Sequence, residues 1–106
     1  MVKQYEVHLV ALDPTLGHEV KKTRPALIIS PDEMNSTIAT VLIAPMTTRS
    51  HPYPTRVPVR FANKNGWIML DQIRCIDKQR LVAKLGKIRS SEIAKTKAIL
   101  REMLVD

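Results

Sequence analysis

The sequence predicts a small, mainly β domain, a barrel or strongly bent antiparallel sheet accompanied by one C-terminal helix. Three observations predict it. Short apolar segments recur along the chain, some alternating with period two and some dense in Val and Ile, with turn-forming residues between them. Only the stretch after Ser90 carries a longer helical stripe. A chain of 106 residues buries a single core, and no repeat, linker or low-complexity tract divides this one.

In order, Tyr5, Val7, Leu9 and Ala11 alternate on one side of a strand with Glu6 and His8 opposite, until Asp13-Pro14 ends it. A polar loop leads to Arg24-Pro25-Ala26-Leu27-Ile28-Ile29, a run short enough for a buried strand. Ser30-Pro31-Asp32-Glu33 reads as a capping box opening a short helical turn that ends near Asn35. Ile38 to Met46 is a further strand, and Pro45 places it at a sheet edge or marks where it leaves the ladder. Thr47 to Thr55 is a polar loop, and Arg56 to Phe61 alternates with Val57, Val59 and Phe61 on one face. Asn63-Lys64-Asn65-Gly66 signals a turn. Trp67 to Leu70, Ile73 to Ile76 and Leu81 to Leu85 read as short strands. Ser90 then caps a helix with Ile93, Leu100, Met103 and Leu104 inward and Lys95, Lys97 and Arg101 outward.

Charge is the informative bulk property. Lys and Arg total 17 against 10 acids, a net charge of +7, which attracts polyanions to a folded face because the basic residues form no tail. No apolar run approaches a membrane span, and the first residues lack a signal-peptide core, so a cytoplasmic location is expected with no membrane partner. Cys75 is the single cysteine. It excludes an intramolecular disulfide and reads as a buried, inert thiol. His8, His18 and His51 are too scattered for a zinc site, so neither metal nor cofactor is expected.

A nucleic-acid-cleaving reading needs a base for the ribose 2′-hydroxyl, donors for the phosphorane, and an acid for the leaving 5′-oxygen. Arg24 suits the second task, because its planar fork matches two phosphate oxygens. Pro25 also keeps it extended at the mouth of a buried strand. Thr47 and Thr48 directly follow a strand and offer hydroxyl donors. Asp71 is either a base or the ion-pair partner of Arg74 or another arginine. His18, next to Gly17, carries an imidazole able to shuttle protons near neutral pH.

Taken together, these residues fall in ordered blocks. Asp13-Pro14-Thr15-Leu16-Gly17-His18-Glu19 with Thr23-Arg24-Pro25-Ala26-Leu27-Ile28-Ile29-Ser30-Pro31 and Asn35 resembles the N-terminal signature of MazF/PemK toxins. Ala44-Pro45-Met46-Thr47-Thr48 with Pro54, and then the segment Asp71 to Leu81, resemble the second and third blocks of that family. The resemblance implies an SH3-like small barrel of the CcdB/PemK type with a C-terminal helix, assembled as a homodimer. It also implies the toxin of a toxin–antitoxin pair. Such a toxin is a metal-independent endoribonuclease that cuts single-stranded RNA at short motifs to 2′,3′-cyclic phosphate and 5′-hydroxyl ends. An acidic antitoxin would restrain it.

By that resemblance the catalytic residues are Arg24 and Thr47, with His18 and Asp71 as assisting groups. Lys21, Lys22, Thr48, Arg49, Tyr53 and Gln72 are expected to line the RNA groove. Tyr53 serves there either as a stacking platform or as a loop anchor. Two positions depart from the family pattern. Met69 stands where one branch carries a catalytic arginine, which shifts the load onto Arg24. Tyr5 replaces a common glycine, a change expected to have little functional meaning. Two rivals remain. One is a CcdB-like gyrase poison, against which the Met103-Leu104-Val105-Asp106 ending counts. The other is an RNA-binding module without catalysis.

Overall fold

The computed structural model describes residues 1–12 and 22–106. The expected architecture is found: among the described residues, a curled, fully antiparallel sheet of seven strands with a C-terminal helix. The strands are β1 (Glu6–Ala11), β2 (Thr23–Ile28), β3 (Thr40–Thr47), β4 (Arg56–Phe61), β5 (Lys64–Met69), β6 (Arg74–Asp77) and β7 (Leu81–Lys87). The helices are α1 (Asp32–Thr37) and α2 (Ser90–Leu104). The strand order is β4-β5-β3-β2-β1-β7, with β6 also on β3.

Strands β2 and β3 read as continuous apolar runs because both of their faces are buried. Leu27, Ile29, Ala44 and Met46 join Val7, Val57, Ile68 and Leu70 in one core, against which Ile93, Leu100 and Met103 of α2 pack. Ala26, Ile28, Val41 and Ile43 join Val10 and Ile76 in a second core on the other face. A strand with no solvent face has no polar positions to alternate.

β3 is central, which overturns its reading as an edge. It pairs β2 on one side; on the other, Thr40 to Ile43 pair β6 and Met46 and Thr47 pair β5. Pro45, which lacks an N–H, falls in the interval where β3 changes partners. Departure from the ladder, the other half of the expectation, describes that side correctly.

Several local expectations are corrected. Ser30 does not cap α1; its hydroxyl donates to Asn35 Oδ1 at 2.5 Å and accepts from the Leu42 N–H at 3.1 Å. Both Ser30 and Asn35 are buried, so the pair ties α1 to β3, and α1 runs on to Thr37 from Pro31 without a side-chain cap. The β4–β5 turn uses Ala62 and Asn63, at φ 50 and 62, and therefore lies earlier than Asn63–Gly66. Lys64, Asn65 and Gly66 consequently belong to β5. α2 begins after Arg89, whose backbone N–H is taken by the Glu92 carboxylate at 2.9 Å. Leu104 is 69% exposed, whereas Glu92 and Thr96 are buried on the inner face instead. Cys75 is exposed, because its neighbour Ile76 takes the inward position on β6.

Tyr5 sits at φ 70, in the left-handed region, so the departure from glycine has a backbone consequence of about 1–2 kcal/mol. Its ring is buried in the first core, with Lys97 Nζ 5.9 Å from the ring centroid.

Glu6 and His8 are buried, with β7 paired along β1 and its Lys84 side chain brought onto the Glu6 carboxylate. The Glu6 carboxylate meets His8 Nε2 at 3.0 Å, Lys84 Nζ at 2.9 Å and the Lys3 N–H at 3.0 Å. Burial pushes this carboxyl up, but these partners outweigh it and hold it at about 2, against an ordinary 4.5. A depressed native value adds stability that is full above pH 4.5 and lost as pH falls from there toward 2. Glu6→Gln is therefore expected to lower the melting temperature at neutral pH, by about 1–3 kcal/mol in free energy. It should also flatten the acid limb, as read by circular dichroism melts between those pH values.

Candidate active site

The register of β2 against β3 locates the site. Ile28 pairs Ile43, Leu27 pairs Ala44 and Ala26 pairs Pro45, and there the pairing stops. Continued two residues further, that register sets Arg24 opposite Thr47, beyond the last paired residues. The strands part at this point and a cavity of about 450 Å³ opens between them. Arg24 and Thr47 both line it, over a floor that includes Pro25, Met46, Val59 and Phe61. Leu85 of β7 completes one wall. The two residues singled out most strongly by sequence thus line one concave, partly apolar site.

Arg24 is exposed, and among the described residues no acid forms an ion pair with it. Pro25 pairs Leu9 of β1 while Arg24 pairs Val10, so the backbone beneath the guanidinium is held in a strand. The Thr47 hydroxyl donates to the Arg49 carbonyl at 3.1 Å and accepts from the Arg49 N–H at 3.2 Å. This local turn fixes the rotamer. Donation to a phosphate would exchange one weak, exposed hydrogen bond for a charge-assisted one.

Residues to which the sequence does not point complete the lining. Lys64 and Asn65 reach the cavity only because the hairpin turns at Ala62-Asn63. On the other side of Arg24 lies a second cavity of about 530 Å³, where Lys22 and Gln72 meet Arg74. Thr48 lines the first cavity with Arg24, and Lys22 and Gln72 line the second with it. His18 and Lys21 lie outside the described residues. Among the described residues, no three His, Cys, Asp or Glu side chains cluster as metal ligands would.

Asp71 belongs to a different constellation. Its partner is Arg56, rather than Arg24 or Arg74, with Nε to Oδ1 and Nη2 to Oδ2 both at 3.1 Å. Thr55 Oγ1 adds a bond of 3.2 Å to Oδ1. Hydrogen bonds from Arg56 hold the Asp71 carboxyl below the usual carboxylate range. The same guanidinium donates to Ser50 Oγ at 2.8 Å and lies 4.9 Å from the Tyr53 ring centroid. The Thr47 to Thr55 loop is thereby tied to β4 and the turn after β5, with Tyr53 acting as an anchor on one ring face. Arg49 is exposed on this loop.

β5 reaches the site by a close backbone approach. A Cβ at Gly66 would stand 2.8 Å from the Thr47 carbonyl oxygen, nearer than side chains come. Gly66→Ala is expected to push β5 from β3, destabilise the protein by about 1–3 kcal/mol and displace Thr47. Urea unfolding, together with the chemical shift of the Thr47 methyl, would check both effects.

The family described as PemK-like, MazF-like toxin of type II toxin–antitoxin system matches residues 3–104. The crystal structure of MazF from Deinococcus radiodurans is 25% identical, with a TM-score of 0.79 over 97% of this chain and 96% of that one. A MazE–MazF crystal structure from the same organism is 27% identical, with a TM-score of 0.74 over 98% and 97%. An endoribonuclease in complex with its cognate antitoxin, from Mycobacterial species, shares the fold at 24% identity, with a TM-score of 0.81 over 98% and 95%. With its fold and nearly its whole length matched, this chain belongs to the MazF/PemK toxins of type II toxin–antitoxin systems.

Proposed function

We propose that this chain is an endoribonuclease that cuts single-stranded RNA without a metal, leaving a 2′,3′-cyclic phosphate and a 5′-hydroxyl. The observation that carries the reading is the cavity at the parting of β2 and β3, with Arg24 and Thr47 both in its lining. In the proposed step, the ribose 2′-oxygen attacks the adjacent phosphorus and the bond to the 5′-oxygen breaks. Arg24 binds two non-bridging oxygens through its fork and neutralises the charge that grows on them. Thr47 donates to a phosphate oxygen after leaving the Arg49 carbonyl. His18 is the group assigned to take the 2′-hydroxyl proton, and a solvent water gives the leaving 5′-oxygen its proton; Asp71 is assigned a positioning role, because its oxygens are occupied by Arg56 and Thr55.

The +7 charge suits both proposed partners, an RNA strand and an acidic antitoxin segment lying over the same cavities. A homodimer, which the family resemblance implies, would set two such sites in one particle.

Purified protein incubated with single-stranded RNA in EDTA should yield cyclic-phosphate ends, and Arg24→Ala should slow cleavage about a hundredfold to a thousandfold. An unchanged rate in Arg24→Ala would sink the assignment. Intact RNA with trapped gyrase–DNA complexes would favour a gyrase poison, and binding without cleavage a passive module. Asp71→Asn and Arg56→Gln are expected to slow cleavage to the same modest degree, by less than about tenfold, since a positioning pair outside the cavity acts only through the loop it holds. A loss of about a hundredfold or more confined to Asp71→Asn would mark it as the base.

A further inference from the structure

The groove does not end at Thr47. It continues past Asn65 and Gly66 into another cavity of about 530 Å³, which includes Trp67, Pro58, Arg60, Arg89 and Lys95 in its lining. Thr48, Val59, Asn65 and Gly66 line both cavities, so the two form one track. Thr47 pairs Trp67 across β3 and β5, and Trp67 pairs Pro58 across β5 and β4. Directly opposed residues share a sheet face. The only tryptophan of the chain therefore stands beside Thr47, half-buried, with exposed Pro58 as its other neighbour.

Three cations, Arg60, Arg89 and Lys95, share this cavity with the indole, against one carboxylate. The Glu92 oxygens are already committed to the backbone N–H groups of Arg60 and Arg89 and to the Arg89 guanidinium, at 2.8 to 2.9 Å. Arg89 remains 64% exposed in its side chain. Lys95 is exposed and forms no ion pair among the described residues. A half-covered aromatic ring in a cavity lined by several cations is the chemistry of a nucleotide site, where a base stacks and its phosphates find counter-charge. An acidic peptide would satisfy the cations but leave the indole without a matching surface.

We propose that this cavity is a second nucleotide subsite for the same RNA strand, one step along the groove from the scissile phosphate. A base stacks on Trp67, and the flanking phosphates lie against Arg60, Arg89 and Lys95. The subsite rests on the ribonuclease reading above and deepens it. Stacking accepts any base, so the subsite adds affinity rather than motif selectivity.

Because Trp67 is the only tryptophan, its fluorescence reports on this cavity alone. The full chain is titrated with a labelled single-stranded RNA of about ten nucleotides, 2′-O-methylated so that it is not cut. Emission and RNA anisotropy are followed together. Saturable quenching in step with anisotropy is expected. Lys95→Glu, on an exposed helix position, and Trp67→Ala should each weaken binding about tenfold, while Trp67→Phe retains it. RNA that binds with unchanged Trp67 emission and unchanged affinity in Lys95→Glu overturns the subsite and leaves the nuclease reading standing. Quenching by polyglutamate but not by RNA overturns it in favour of a protein-docking face. No RNA binding at all, together with no cleavage of unmodified RNA by the wild-type chain, removes the parent reading and the subsite with it.

Discussion

The site depends on where β2 and β3 stop pairing. Both strands are buried on both faces, and each residue of Leu27-Ile28 and Ile43-Ala44 is held by one core or the other. Their register therefore cannot slip without exposing a core face. Pairing ends at Ala26 and Pro45, where β3 gives up β6 and takes β5 on its other side. The cavity is a consequence of that exchange. Its two key side chains inherit their positions from a rigid ladder, although each stands beyond the last β2–β3 pair.

Around this ladder the acids are used structurally. Glu6 ties β1 to β7 through Lys84 and His8, Glu92 ties α2 to β4, and Asp71 ties Arg56 to the turn after β5. Three carboxylates are thus consumed in holding elements together, while Arg24, Lys22, Lys64 and Lys95 remain along the groove. The net positive charge becomes a directed field because acids and excess bases are segregated between scaffold and groove. A buried carboxylate with several donors is also worth more than a surface pair, so this segregation stabilises the fold while leaving the cations available to an anion.

Much of the fold is legible in the sequence, because local chemistry writes it there. Period-two alternation marks β4, dense apolar runs mark β2 and β3, and a 3.6-residue stripe marks α2. The readings that fail are those in which a distant partner decides. Alternation sets Glu6 and His8 opposite the apolar positions without marking them as buried, and only the pairing of β7 brings Lys84 onto the Glu6 carboxylate. Ser30-Pro31-Asp32-Glu33 has the pattern of a helix start, but the Leu42 N–H donates to the Ser30 hydroxyl and Asn35 accepts from it. The hairpin bends at Ala62-Asn63 because Phe61 must pair Lys64 to keep Val57 and Val59 inward.

The candidate site divides in the same way. Sequence by itself determined that Arg24 is extended, since Pro25 permits little else, and that a strand ends at Thr47 among polar residues. It also carries the ordered blocks that place the chain in its family. Only the tertiary structure decided that Arg24 and Thr47 line one cavity, that Asp71 answers to Arg56, and that Trp67 stands beside Thr47. Strand identity is encoded in the nearest few residues, whereas adjacency comes from register between segments far apart in the chain. Register is set by which faces the two cores bury, and that is a property of the whole sheet.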